Sequence, residues 1–353
     1  MPHSVITGTG SFIPERVIDN SYFLKNEFYT INKEKIQKTN EEIINKFHEV
    51  TCIRERRYAD DSVSTSDIAY EAAEMALEGI DRESLDCIIV AHNYGNVEPG
   101  CGRADMCPSL ASRVKYRLGI ENPFTVAFDV PFGCPGWLHG IILADYYIKS
   151  GDAKKVLVIG AEILSRVIDW HDIDCMIYAD GAGAALVEAT EEECGILSHV
   201  TRSDTKDAVH MIWNGRSYDP NHEGDEIYLK MHGHDIYRYA LRHVPETVKM
   251  SLDKVGMTLT DVKKVLIHQA NEKMDHAILK NLFKLYGVKE IPEHIMPLTI
   301  AWLGNTSVAT LPTMFDLLQR GKLNNHRLHS GDIAVFASVG AGMNINSLVY
   351  KMP

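Results

Sequence analysis

Short apolar runs alternate along this chain with longer stretches of helical period. The runs "CIIVA" (87–91), "KVLVIG" (155–160), "KVLIH" (264–268) and "IAVFAS" (333–338) read as strands buried on both faces. Between the runs lie helices. "STSDIAYEAAEMALEGI" carries apolar residues at helical spacing and opens with Ser64 three residues before Asp67, a capping-box pattern. From Trp137 onward, apolar side chains at 137, 141, 144 and 148 make one face of another helix. Strands separated by helices predict an α/β protein with a mostly parallel sheet covered by helices.

Two pairs of stretches resemble each other in the same order. "LDCIIVAHN" (85–93) matches "VKKVLIHQAN" (262–271), each a strand ending at a histidine. "DGAGAALVE" (180–188) matches "VGAGMNINSLV" (339–349), each read as a Gly-Ala-Gly turn before a strand. The repetition predicts a duplicated α/β unit with halves 1–190 and 191–353, divided near the acidic "EATEEECG". No Pro-, Gly- or Ser-rich linker separates them. Residues 20–50 read first as a pair of solvated surface helices and second as a flap over an active-site mouth.

Composition narrows the classes. The 353 residues are 45% apolar and 24% charged, ordinary for a soluble globular protein, and the net charge of −12 without a basic block argues against nucleic acid as a partner. No apolar run reaches the roughly 18 residues of a membrane span. "MPHSVITGTGSFIPERV" lacks a basic region followed by a long apolar stretch, so no secretory signal is expected. Seven cysteines, an odd number, predict reduced thiols in a cytoplasm. None forms a CxxC pair, and Cys101 and Cys107 have no matching His or Cys cluster, so no metal site is expected.

Candidate chemistry centres on "PFGCPGW". Here an apolar strand runs into a turn at Gly133, and Pro135 falls at or near the first helical position. Cys134 therefore sits at a helix start, where peptide dipoles and free N–H groups favour an anion and draw a thiol toward thiolate. A small hydrophobe filling a turn is the alternative reading. His268 in "HQAN" ends a strand, where open α/β sheets bind ligands, or it is a satisfied core histidine. Asn305 in "GNTS" is by itself a turn or cap residue.

Taken together, these stretches resemble the thiolase-like condensing enzymes, above all the β-ketoacyl-acyl-carrier-protein synthase III family. The resemblance spans nearly the whole chain: "TGTGSFIPERVIDN", "TCIRERRYA", "CPSLASRVKYRLGI", Cys134, "YADGAGAALV", "HQAN", "GNTS" and the closing "GAG". It implies duplicated βαβαβαββ halves in a five-layer αβαβα sandwich. It implies a homodimeric acyltransferase in which Cys134 carries an acyl group and His268 and Asn305 stabilise an enolate formed by decarboxylation of a malonyl-type extender. The backbone N–H groups of Cys134 and Ala341 would form the oxyanion hole. Acyl carrier protein is the implied partner, with Lys273 and Lys280 the basic positions toward it, and no cofactor is implied.

The chain departs from that family's acetyl-CoA-using members. Val50 stands at an Arg position, Lys46 or Phe47 near a Trp position, and Asp172 at another Arg position, all groups that would hold coenzyme A. Loading from a carrier protein or a non-acetyl donor is therefore expected. Cys107 and Val339 replace phenylalanines, which implies room for a longer or bulkier acyl chain, and the resemblance implies fatty acid or specialised polyketide or alkylresorcinol-like lipid biosynthesis. Two other readings are a non-decarboxylative condensing enzyme with Glu98 as base, and a non-catalytic partner subunit. Retention of Cys134, His268 and Asn305 counts against the partner subunit.

Overall fold

The apolar runs pair into two sheets in the computed structural model, which describes residues 2–101 and 103–353. The first sheet runs His3–Phe12, Asp180–Thr190, Lys155–Ile163, Cys87–Ala91, Val126–Val130, and the second Gly195–Ser203, Asn344–Lys351, Ile333–Gly340, Val262–Ile267. In each, the first strand is antiparallel to the second, the second antiparallel to the third, and the third parallel to the fourth. In place of a fifth strand, the second sheet has a single bond from Val265 N–H to the carbonyl of Ile295 at 2.9 Å. The sheets are therefore mixed rather than mostly parallel. The antiparallel return in the second sheet is the tight turn at 341–343, between Ile333–Gly340 and Asn344–Lys351, whereas in the first sheet the longer segment 164–179 makes it, between Lys155–Ile163 and Asp180–Thr190.

Alternation within the strands builds the layers. On one face of the first sheet, Ile88, Val90, Leu157 and Ile159 pack against helices Thr65–Ala76 and Leu110–Arg117. Its other face, with Ile89, Val156 and Val158, meets helices Gly136–Ser150 and Thr310–Gln319, which also cover Leu266, Phe336 and Leu348 of the second sheet. The far face of that sheet, with Val265, Ile267 and Val335, is covered by helices Gly233–Asp253 and Glu272–Leu285. Helix, sheet, helix, sheet, helix makes the five-layer sandwich. Strands between two helical layers are apolar on both faces, which is why they read as continuous runs.

The central layer explains the apolar helix after Cys134. Trp137 is 1% exposed there and its indole N–H donates to the carbonyl of Val158 at 3.2 Å. Such burial is worth roughly 2–3 kcal/mol for a large apolar side chain. The capping box at Ser64 and Asp67 is present as expected. The first Gly-Ala-Gly is not a turn: residues 181–183 lie inside the strand Asp180–Thr190, and only the second, at 340–342, makes a turn.

Residues 20–50 are not a solvated pair of helices. They form a short 3-10 turn, Asn20–Lys25, and one helix, Asn40–Thr51, whose Ile43, Ile44 and Phe47 are buried with Phe23 and Phe28 against Met176, Ile177 and Tyr178. Arg56, fully buried, pins this strap by donating to the carbonyls of Met176 (2.7 Å) and Ile18 (3.1 Å) and to Asn20 Oδ1 (2.7 Å).

Candidate active site

Cys134 follows Gly133, whose φ of +66° is easy only for glycine, and precedes Pro135, which caps the helix Gly136–Ser150. His268 directly follows the strand Val262–Ile267, and its N–H donates to the carbonyl of Ala337 at 2.9 Å. Asn305 is held against Tyr178 by a parallel bridge, with Asn305 N–H on the carbonyl of Ile177 and Ala179 N–H on that of Asn305, each at 2.9 Å. These three elements bring Cys134, His268 and Asn305 to one cavity of about 220 Å³, which Val339 and Ala341 also line.

Each side chain is oriented by what its other atoms do. Asn305 Oδ1 accepts from Ser307 N–H at 2.8 Å, so its amide NH2 is left for the cavity. His268 Nδ1 is sealed in with no hydrogen-bond partner among the described residues. A buried lone pair there costs less than a buried N–H, so the proton belongs on Nε2, the nitrogen that reaches the cavity. Burial holds the His268 ring down to about 4, so it is neutral at physiological pH. The repeat supplies a contrast. His92 occupies the corresponding position after Cys87–Ala91, but its Nδ1 accepts from Gly95 N–H at 3.0 Å and its Nε2 meets Asp129 at 2.9 Å. His92 is satisfied; His268 is not.

The thiol differs from the expectation. Burial pushes Cys134 up to about 11, with Ser307 pulling it down and the charge of Glu162 pushing it up. The sulfur rests as a thiol in the wall of the cavity, because desolvation outweighs the helix start that the sequence made visible. Ser307 Oγ donates to it at 3.3 Å.

Two backbone segments close on Cys134. A Cβ on Gly340 would lie 2.5 Å from Cys134 N, and one on Gly133 2.7 Å from Ala341 N. Only glycines allow this approach, which sets the amides of Cys134 and Ala341 side by side.

The remaining residues singled out in sequence fall elsewhere. Glu98 is exposed and lines none of the cavity, so within this chain it is not placed as a base. Cys107 is exposed and lies away from the cavity, whereas Val339 lines it. Lys273 and Lys280 are exposed on the helix Glu272–Leu285. Asp172 is buried and paired with Lys230 Nζ at 3.1 Å, which also meets Asp169 at 2.5 Å.

A second cavity of about 670 Å³ shares Met231, Ile236, Ala270 and Met274 with the first. Val50, Lys46 and Phe47 of the strap form one side of it. Asp174 also lines it, its carboxyl pushed up to about 8 by burial and the charge of Asp172.

Sequence reasoning passed over Asn93, Glu162 and Ser307. Glu162 is 1% exposed and accepts from Asn93 N–H at 3.0 Å and Asn93 Nδ2 at 2.7 Å; Asn93 Nδ2 also donates to Ser307 Oγ at 3.2 Å. The available signal was a lone carboxylate ending the apolar run "KVLVIGAE".

This fold and cavity define a class: the thiolase-like condensing enzymes, which are acyltransferases. Comparison with known proteins makes it specific. Residues 128–205 match the model of 3-oxoacyl-[acyl-carrier-protein] synthase III, and residues 252–352 match the model of its C-terminal part. The chain is 33% identical to a β-ketoacyl-[acyl-carrier-protein] synthase III of Halalkalibacterium halodurans, over 99% of each chain. It is 34% identical to one of Koribacter versatilis, over 98% of this chain and 97% of the relative. Among solved structures, 3-oxoacyl-[acyl-carrier-protein] synthase III of Aquifex aeolicus superposes with a TM-score of 0.79 at 28% identity, covering 99% of each chain. The priming β-ketosynthase of the R1128 polyketide pathway superposes with a TM-score of 0.79 at 26% identity, covering 99% of this chain and 96% of the other. The chain belongs to the β-ketoacyl-acyl-carrier-protein synthase III family.

Proposed function

We propose that Cys134 takes an acyl group from a thioester and that the enzyme condenses it with a malonyl-type thioester on a carrier protein. The observation that carries this reading is the convergence of Cys134, His268 and Asn305 on one cavity. Cys134 as thiolate attacks the donor carbonyl, a C–S bond forms, and the donor thiol leaves. The malonyl-type unit then enters and loses CO2. The electron pair of the broken C–C bond passes to its thioester oxygen, where His268 Nε2–H and the Asn305 amide donate. A carboxylate at 305 would repel that enolate. The enolate carbon attacks the acyl group on Cys134, the N–H groups of Cys134 and Ala341 hold the oxyanion, and collapse returns the cysteine thiolate. Every charge is met by protein donors, so the reaction runs without a cofactor.

Several finer features belong to the same reading. The matching strand orders support two halves, 1–190 and 191–353. Val126–Val130 leaves the first sheet with an unpaired edge, flanked by Phe124 at 83% and Tyr116 at 85% exposure, which suits pairing in a homodimer. Lys273 and Lys280 meet the acidic carrier. Seven unpaired cysteines suit the cytoplasm. Val50 lining the second cavity, with a half-buried Asp174 also lining it, favours loading from a carrier protein or a non-acetyl donor, in fatty acid or specialised polyketide or alkylresorcinol-like lipid biosynthesis.

The test is mass spectrometry of the intact protein with acyl thioesters, followed by a malonyl-carrier thioester. One acyl adduct on Cys134 and a β-ketoacyl product are expected. His268→Ala and Asn305→Asp should keep the adduct and lose CO2 release and product. Acylation elsewhere than Cys134, or undiminished CO2 release in both variants, would overturn the proposal. Efficient saturable loading by micromolar acetyl-CoA would overturn the donor assignment alone.

A further inference from the structure

We infer that Ser307 is a catalytic residue whose hydroxyl donates to the Cys134 sulfur and stabilises its thiolate, with Asn93 and Glu162 as positioning residues that dictate the direction of that bond. The inference rests on the reading of Cys134 as the acyl-carrying nucleophile.

Counting hydrogens fixes the direction. The amide nitrogen of Asn93 has two, one on Glu162 Oε2 at 2.7 Å and one on Ser307 Oγ at 3.2 Å. An amide nitrogen only donates, so Ser307 Oγ accepts from it and has its single hydrogen left. The other atom within reach of that oxygen is Cys134 Sγ at 3.3 Å. Ser307 is therefore a donor to sulfur, and such a donor stabilises thiolate over thiol. Glu162 sets the polarity of the chain. While ionised, it accepts from both Asn93 N–H and Nδ2 and excludes the flipped amide, which would put oxygen against carboxylate.

The backbone agrees. Ser307 has a φ of +50°, which costs a non-glycine residue about 1–2 kcal/mol. That conformation lets its N–H reach Asn305 Oδ1 at 2.8 Å while its hydroxyl reaches Cys134. One strained residue thus aims both the asparagine amide and the thiolate donor.

The charge of Glu162 works against the thiolate. Its carboxyl, raised by burial to about 7, is only partly ionised near neutrality, which limits that opposition. The groups facing Glu162 are His92, Asn93, Tyr94 and Cys134; those facing Cys134 are Glu162, Tyr94, Tyr178, His268 and Ser307. Ser307 keeps its proton throughout, while the thiol proton leaves to solvent or to the departing thiolate.

The experiment measures alkylation of Cys134 by iodoacetamide in the full chain from pH 6 to 11, by intact mass and peptide mapping. Ser307→Ala and Ser307→Gly should raise the thiol pKa by about one unit and slow alkylation at pH 8 about tenfold. The slowing should persist across the range and narrow only near pH 11, where the parent thiol itself begins to ionise. Glycine suits the left-handed φ, so it keeps the test valid if the alanine variant fails to fold. Glu162→Gln keeps an acceptor for Asn93 but removes the charge, and should speed alkylation at pH 8 about threefold or more. A profile superimposable on the parent in both Ser307 variants, or slower alkylation in Glu162→Gln, would overturn the inference. A parent protein that takes no acyl group on Cys134 would instead overturn the function on which it rests.

Discussion

Replacing Gly340 with alanine places one methyl group against the backbone of the nucleophile. Gly340 has φ −168° and ψ −163°, extended values open to alanine, so the perturbation is steric. The new Cβ would lie 2.5 Å from Cys134 N, 2.7 Å from Pro135 Cδ and 2.9 Å from Cys134 Cβ. An ordinary contact is roughly 3.5 Å, so the two segments must part by roughly 1 Å. Gly340 immediately precedes Ala341, so the separation moves both proposed oxyanion donors relative to each other. A misplacement of that size costs about 100-fold in rate, or about 2.7 kcal/mol of transition-state stabilisation. Overpacking should cost about 1–3 kcal/mol of stability, leaving the protein folded. The assay is kcat/KM for condensation together with single-turnover acylation of Cys134, with circular dichroism and thermal melting as the control. A kcat/KM within threefold of the parent, in a folded variant, would refute the placement of the oxyanion hole.

Other outcomes follow from the same packing. Val339→Phe narrows the acyl cavity and should shift preference from medium-chain to two-carbon acyl thioesters by tenfold or more, read in a competition assay on Cys134. Arg56→Met leaves the carbonyls of Ile18 and Met176 and the amide oxygen of Asn20 without their donor. It should cost about 3 kcal/mol and make residues 20–50 the first site of limited proteolysis. Burial raises the Glu162 carboxyl to about 7 in the folded protein, against about 4.5 for an ordinary glutamate, so the native state holds its proton over a range where the unfolded chain has lost it. Stability is therefore lost as pH rises from about 4.5 to 7, and Glu162→Gln should gain roughly 3 kcal/mol over the parent at pH 8 relative to pH 4.5, read from urea midpoints. His268, at about 4 against 6.5, acts on the acid side. Its contribution is intact above pH 6.5 and is lost as pH falls toward 4, so His268→Asn should flatten the acid limb of the stability profile.

The apolar runs determined the strands by themselves, because strands lying between helical layers need no polar face. The capping box, the helix after Cys134 and the repeat were legible for the same reason: each is a local pattern. Motif order also carried the family and proposed Cys134, His268 and Asn305 together. What periodicity left open was the partner of each polar group. His92 and His268 occupy matching places in the repeat, yet one is satisfied by Asp129 and Gly95, and the other keeps Nδ1 unpartnered and turns Nε2 to a cavity. Asp172 could be placed at an Arg position of the family, but its ion pair with Lys230, 58 residues away, is a tertiary contact. The strap at residues 20–50 looked solvated because its charges are local, while the surface it buries comes from residues 164–178. The thiol looked activated by its helix start, and tertiary burial raised it instead. Local sequence sets backbone conformation, whereas desolvation and hydrogen-bond pairing depend on groups distant along the chain. That is why the fold was readable in one dimension, and the Glu162–Asn93–Ser307–Cys134 chain only in three.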